Sequence, residues 1–238
     1  MIALADIVED STIDIGECCL DTDMDIALDE ARHLLDEGER AREARFVFER
    51  DRDRFVRAHG YLRQRLGDHL GMAPARVPII APDGGKPFVR DGAVRFSLSH
   101  SGSRAVLAVT HAGEIGVDLE MEDRSGGFVD QLDDLIRFCL TATEQEALST
   151  LSEDQRIRGF LSCWTAKEAR MKLTGEGLTL EPKAITLQFR HGWPVGYIRP
   201  SMPVGLRFVA LSRPDAICCV AFHEADGSSK RGGNDGQG

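Results

Sequence analysis

VRFSLSHSGSRAVLAVTHAGEIGVDLE, Val94 to Glu120, is the stretch whose reading decides the fold. It contains three short strand candidates, Val94–Ser99, Arg104–Thr110 and Ile115–Glu120, with a turn at His111-Ala112-Gly113. Upstream, Ile13-Asp14-Ile15-Gly16-Glu17-Cys18 alternates like a further strand. Residues 24–44 are helix-rich, with Gly38 the expected break. Residues 49–70 carry a helical period through Phe55, His59, Leu62, Leu66 and Leu70, and Gly71 is a natural C-cap. Pro74 and Pro78 bracket a crossing into Ile79-Ile80, and Asp83-Gly84-Gly85-Lys86 reads as a turn. Downstream come helices over 128–138, 143–150 and Glu153–Leu173, the last ended by Gly175. Strands follow over 184–190, 195–199, 206–212 and 216–222. Helices precede strands in each half, so the fold class is α+β, two α/β two-layer units of similar size joined near residues 111–117. The expected division is an N-terminal half over 1–112, a C-terminal half over 113–225, and a Gly- and Ser-rich disordered tail over 226–238.

The chain has 238 residues, 42% of them hydrophobic and 29% charged, with a formal net charge of −10. That is too apolar for wholesale disorder and long enough for a sizeable core. No run of 18 apolar residues exists, and the start has no basic region of a secretory signal. The expectation is a soluble cytoplasmic protein with no nucleic-acid and no membrane partner. Six cysteines, two pairs of them adjacent, show no CxxC spacing, and are expected to be small buried hydrophobes in a reducing compartment.

The charge is unevenly distributed. Residues 1–30 hold ten acids and no Lys or Arg; residues 40–65 hold nine arginines. The arginines have interleaved acids, so they are either a solvated helix laced with i,i+4 pairs or an anion-binding face.

Three segments carry chemistry. In Gly116-Val117-Asp118-Leu119-Glu120, strand alternation puts Asp118 and Glu120 on one face and Val117, Leu119 and Met121 on the other, toward a core. Two adjacent carboxylates repel and need a cation or a shared proton, unless they are simply solvated. In Trp164-Thr165-Ala166-Lys167-Glu168-Ala169-Arg170-Met171-Lys172, helical spacing aligns Trp164, Glu168 and Lys172. An exposed Glu–Lys pair would look the same. In Phe96-Ser97-Leu98-Ser99-His100-Ser101, Ser97 and Ser99 face away from Phe96 and Leu98, and His100 sits at a strand end, where it is either structural or catalytic. No GxSxG, GxxxxGK(S/T) or GxGxxG element is present. Three carboxylates without His or Cys partners suit a hard cation such as Mg²⁺, completed by water and phosphate oxygens.

In order and spacing these segments resemble 4′-phosphopantetheinyl transferases of the surfactin-synthetase-activating type. The hallmarks are a G-(I/V)-D-(I/L/V)-E block, here Gly116–Glu120, and a later W-(S/T)-x-K-E-(A/S)-x-x-K block, here Trp164–Lys172. Ser99-His100-Ser101, Gly85-Lys86-Pro87 and an arginine-bearing helix around Arg54 to Arg63 match further elements, so the likeness spans residues 40–180. The resemblance implies a pseudo-twofold arrangement of two similar subdomains in one monomeric chain. It implies an enzyme of the holo-(acyl-carrier-protein) synthase type that moves 4′-phosphopantetheine from coenzyme A, its co-substrate, to a serine of an apo acyl or peptidyl carrier protein. The carrier would serve fatty-acid, polyketide or nonribosomal peptide biosynthesis, and adenosine 3′,5′-bisphosphate would be released.

By match to the motifs, Asp118, Glu120 and Glu168 would hold Mg²⁺, with Mn²⁺ as an alternative. Glu168 would be the general base, directly or through metal-bound water, and Lys172 would stabilise or protonate the leaving phosphate. Lys86, Ser99 and His100 would contact coenzyme A phosphates, Arg54 matches a coenzyme-binding arginine, and Arg42 stands near a basic position. Glu39 stands where some relatives carry lysine, and Arg40 is the expected substitute. The apolar stripe Phe128, Val129, Leu132, Leu135 and Ile136 is either core or a patch for the carrier's helix, with Arg124 and Arg137 available to acidic side chains. Two readings compete with the transferase: a catalytically silent homologue that binds carrier or coenzyme A, and a Mg²⁺-dependent pyrophosphate hydrolase.

Overall fold

The computed structural model describes residues 13–122, 126–199 and 204–223; Arg124, the side chains of Phe128 and Val129, and the tail from 226 lie outside these. The N-terminal half runs β1 (Ile13–Cys19), α1 (Leu28–Leu34), α2 (Glu37–Glu43), α3 (Glu49–Leu70), the short pair β2 (Ile79–Ile80) and β3 (Phe88–Val89), then β4 (Arg95–Ser101) and β5 (Arg104–Thr110). The C-terminal half runs β6 (Glu114–Met121), α4 (Gly126–Cys139), α5 (Ala142–Ser149), α6 (Glu153–Thr174), the pair β7 (Thr186–Arg190) and β8 (Trp193–Arg199), then β9 (Gly205–Val209) and β10 (Ala216–His223). The main sheets are ordered β1-β5-β4 and β6-β10-β9, all antiparallel. In both, the first strand of the half pairs with its last, and the last with its penultimate. A 22-residue helix and a two-stranded pair occupy the same place in each order. The fold is α+β, two similar halves of one topology.

Alternation along the strands sorts the core into three layers. Ala105, Leu107 and Val109 of β5 pack with Val56, Leu62 and Leu66 of α3. Ile217, Cys219 and Ala221 of β10 pack with Phe160, Cys163 and Met171 of α6. The opposite sheet faces meet between the halves: Val106 and Ala108 pack with Val117, Leu119 and Val220. All six cysteines are buried and unpaired.

A serine ladder joins the two sheets. Val117, Leu119 and Met121 donate their backbone N–H groups to the hydroxyls of Ser97 (3.0 Å), Ser99 (3.2 Å) and Ser101 (3.2 Å). Side chains on alternate residues of β4 thus satisfy alternate donors on the edge of β6, where a backbone partner would ordinarily stand. On the other side of β6, Gly116 lies so close to α6 that a Cβ there would come 2.1 Å from the Ala169 carbonyl oxygen and 2.4 Å from the Leu173 nitrogen. Glycine lets the helix rest directly on the strand. Gly71 and Gly175, at φ 62° and 77°, end α3 and α6 in the left-handed conformation their positions suggest.

Two expectations are corrected. The helical stretch 24–44 divides at Leu35 and Asp36, and Gly38 lies inside α2. Asp36 accepts from the Glu39 N–H while the Glu39 carboxylate accepts from the Asp36 N–H, a capping box that starts a new helix there. The strand placed at Val94–Ser99 runs on through Ser101 as β4, because the ladder continues to Met121. In the apolar stripe of α4, Leu132 and Ile136 are buried in the core and Leu135 packs against it.

Candidate functional site

Strand β6 and helix α6 bring the two later motifs together. Asp118 is buried at 2% exposure, and its Oδ1 accepts from the Ser99 hydroxyl at 2.9 Å and from Lys172 Nζ at 2.6 Å. Lys172 Nζ also donates to Ser99 Oγ at 2.8 Å and lies 4.0 Å from Glu168. Glu120 accepts from Ser101 Oγ at 3.3 Å. Burial, then the Asp118 charge, and further the Glu168 charge, raise the Glu120 carboxyl to about 7; the Ser101 and Trp164 side chains work against this. Burial and the Asp118 charge raise Glu168 as well, with Lys172 opposing. Strand and helix periodicity thus deliver what the spacing suggested: Asp118, Glu120, Glu168, Lys172 and Trp164 in one cluster.

The cluster adjoins a cavity of about 960 Å³ between the halves. Lys172 and His100 line it, as do Arg42, Arg45 and His59 from the helices of the N-terminal half. Leu62, Ile79, Phe96, Leu98 and Met171 form apolar wall, and Gly84, Gly85 and Lys86 a rim. His100 is on the exposed side of this wall; partial desolvation and then the charges of Lys172, His59 and Arg42 hold its imidazole below the ordinary range. Asp36, Glu37, Glu39 and Asp83 also line it, so the lining is mixed in charge; Arg42, Arg45 and Lys172 can meet the anionic groups of a ligand and the apolar wall its apolar or aromatic body.

Asp118, Glu120 and Glu168 fit a divalent cation by donor type. Asp118 Oδ2 is buried without a hydrogen-bond partner, and burial together with the Asp118 charge raises Glu120 and Glu168, so a cation there would meet three closely grouped carboxyls. Among the described residues no three His, Cys, Asp or Glu side chains are drawn together at ligating distance. Lys172 supplies positive charge to Asp118 instead.

The remaining expected residues divide. Lys86 lines the cavity, but its ammonium donates to Glu114 Oε2 (3.0 Å), the Ile115 carbonyl (2.7 Å) and the Leu173 carbonyl (3.1 Å), which ties the rim to β6 and α6. Desolvation lowers its pKa. Arg54 is not among the cavity residues; it makes two hydrogen bonds to Asp21, at 2.6 and 2.8 Å. Arg57 bonds Asp23 at 2.7 Å, and Arg65 pairs with Asp14. The acidic N-terminal segment therefore neutralises arginines of α3. Arg40, the expected stand-in at Glu39, donates to the His33 carbonyl and does not line the cavity; Arg42 and Arg45 do. Glu39 serves structure: besides capping α2 it accepts from Arg63, which is fully buried, and contacts His59 Nδ1 at 2.9 Å.

Sequence reasoning missed Arg45, His59 and the role of Lys167. His59 lay within the helical period read over residues 49–70, and nothing local marks its partnership with Glu39. Lys167, beside Glu168, is fully buried against Glu144 at 2.7 Å. The only local hint was the Thr141-x-x-Glu144 capping box.

The sequence model of the 4′-phosphopantetheinyl transferase superfamily matches residues 114–201. The chain is 36% identical over 148 residues to the 4′-phosphopantetheinyl transferase HetI of Nostoc sp. (strain PCC 7120), covering 60% of this chain and 61% of that protein. It is 32% identical to the 4′-phosphopantetheinyl transferase psf-1 of Bacillus pumilus, covering 59% and 58%, and 26% identical to a 4′-phosphopantetheinyl transferase of Bacillus subtilis, covering 68% of each. The chain thus spans about three fifths of the length of the first of these relatives. Among solved structures, the 2.31 Å crystal structure of a holo-(acyl-carrier-protein) synthase from Bacillus anthracis in complex with CoA (3′,5′-ADP) aligns at 22% identity and a TM-score of 0.38, over 48% of this chain and 97% of that one.

Proposed function

We propose that this chain, which belongs to the 4′-phosphopantetheinyl transferase superfamily, transfers 4′-phosphopantetheine from coenzyme A to a serine of an apo acyl or peptidyl carrier protein. The observation that carries the reading is Lys172, which lines the cavity between the halves and at the same time pairs with Asp118 of the carboxylate cluster on β6. Coenzyme A would lie in the cavity, its phosphates facing Arg42, His100 and Lys172 and its apolar parts against Phe96 and Leu98. Arg45 and His59 add to the basic lining. Asp118, Glu120 and Glu168 would hold Mg²⁺; when bound, it supplies Lewis acidity and neutralises pyrophosphate charge.

The carrier serine oxygen forms a bond to the phosphorus that bears pantetheine. The bond from that phosphorus to the bridging oxygen breaks, and adenosine 3′,5′-bisphosphate leaves. Glu168 takes the hydroxyl proton, and Lys172 stabilises the leaving phosphate. Ser99 holds both Asp118 and Lys172, so its role is to position them, and the exchange is one of orientation and charge neutralisation. In this reading residues 1–112 contribute to coenzyme A binding and 113–225 carry the metal and catalytic residues. The protein works as a cytoplasmic monomer, and among the described residues no helix is long and apolar enough to cross a membrane.

The test is to incubate the protein with apo carrier, coenzyme A and MgCl₂ and weigh the intact carrier. A gain of one phosphopantetheine is expected; no gain on any carrier, including those of the source organism, refutes the reading. Glu168→Gln should lose most turnover while coenzyme A still binds, and full activity would remove Glu168 from both roles.

A further inference from the structure

Apart from this site, one cluster of metal-ligating side chains stands where the halves connect. His69 lies in the last turn of α3 and His111 in the turn between β5 and β6. Their rings meet at a tilt of 53°, and His69 Nδ1 and His111 Nε2 are hydrogen-bonded at 3.3 Å. On its far side, His69 Nε2 is 2.8 Å from Asp14 Oδ2. Asp14 Oδ2 also accepts from the Arg65 guanidinium. It is therefore a carboxylate acceptor, and the His69 proton belongs on Nε2. The Nδ1 lone pair then points at His111.

We propose that His69 and His111 form a surface site for a divalent late transition-metal ion of the Cu²⁺ or Zn²⁺ class, with Asp14 as the residue that orients His69. Three observations meet here. Neutral imidazole suits these ions. Two metal–nitrogen bonds of about 2.0–2.1 Å at a tetrahedral angle span roughly 3.3 Å, the separation already present between the two nitrogens. A carboxylate behind a histidine is the usual partner of a ligating imidazole, since it fixes the tautomer and raises basicity. His111 is exposed, so its ring can turn to aim its lone pair and water can fill the remaining positions. The ion would tie the end of α3 to the link between the halves. The site uses none of the carboxylates of β6, so it stands or falls independently of the transferase reading.

The test uses tag-free protein in excess MgCl₂, titrated with CuCl₂ up to one equivalent and read by electron paramagnetic resonance. Nitrogen hyperfine coupling from two imidazoles is expected. His69→Ala and His111→Ala should each weaken binding by at least about tenfold, and Asp14→Asn by roughly 10- to 100-fold. ZnCl₂ should raise the Tm of the parent protein and leave that of His111→Ala unmoved. His111→Ala alters an exposed turn residue, so it reads binding even if His69→Ala misfolds. A parent spectrum without two-nitrogen coupling, or an affinity unchanged in His111→Ala, overturns the site. An unchanged affinity in Asp14→Asn overturns the orienting role.

Discussion

Replacing Lys167 by methionine keeps the length of the side chain and deletes its charge. In the folded chain the fully buried Lys167 Nζ donates to Glu144 Oε2 at 2.7 Å, to the Pro182 carbonyl at 3.0 Å and to the Cys139 carbonyl at 3.1 Å. Glu144 in turn accepts from the N–H groups of Thr141 (2.7 Å) and Leu187 (2.9 Å). One ion pair thus anchors the end of α4, the start of α5, the middle of α6 and β7. Removing one partner of a buried pair leaves an uncompensated charge and costs about 3–5 kcal/mol. The two N–H donors left on Glu144 soften the loss, so Lys167→Met should fall at about 3 kcal/mol. For a chain of this size, at about 2–4 °C per kcal/mol, that lowers Tm by roughly 6–12 °C. Urea unfolding followed by circular dichroism measures it. The double variant Lys167→Met/Glu144→Leu removes the stranded charge but strands the Thr141 and Leu187 N–H groups, each costing about 1–3 kcal/mol. It should therefore remain less stable than the parent, with a coupling energy above about 1 kcal/mol between the two positions. A Lys167→Met protein within about 1 kcal/mol of the parent would refute the claim that this pair anchors the half.

Gly116→Ala should push α6 from β6, because the new Cβ would overlap the Ala169 carbonyl; a loss of several °C in Tm and most of the activity is expected in melting and transfer assays. Glu114 is held below its ordinary range by Arg95 and Lys86, which outweigh the opposing burial. Its contribution to stability is present above about pH 4.5 and lost as the pH falls through its depressed value, so urea midpoints measured from pH 7 to 3 should fall less steeply in Glu114→Gln than in the parent. Chelation with EDTA should abolish transfer, and added MgCl₂ should restore it in the parent but not in Asp118→Asn, read by carrier mass.

Several element ends were legible because those elements carry their own punctuation. α3 and α6 are closed by glycines that adopt the left-handed conformation, and β5 is bounded by turns on both sides. Asp118, Glu120, Glu168 and Lys172 were legible because strand and helix periods put them on faces that then meet across one contact. What was not legible depends on distant pairings. Arg54 and Asp21 lie 33 residues apart, and Glu39 and Arg63 lie 24 apart, so nothing near Arg54 says that an acid already holds it. Gly38 illustrates the opposite error: a residue that often breaks helices was outweighed by the Asp36–Glu39 capping box beside it.

Strands β4 and β6 end their sheets, and each covers the edge that the other would leave open to another chain. Hydroxyl groups on Ser97, Ser99 and Ser101 satisfy the β6 donors at this seam, with no strand-to-strand ladder between the two sheets. Ser99 therefore holds the two halves together as well as positioning Lys172, and a variant lacking its hydroxyl strands the buried Leu119 N–H, so its melting temperature should be measured before its lost turnover is charged to the reaction. Threonine, which keeps the hydroxyl, separates the two effects: it preserves the acceptor for Leu119 while crowding the space around Lys172.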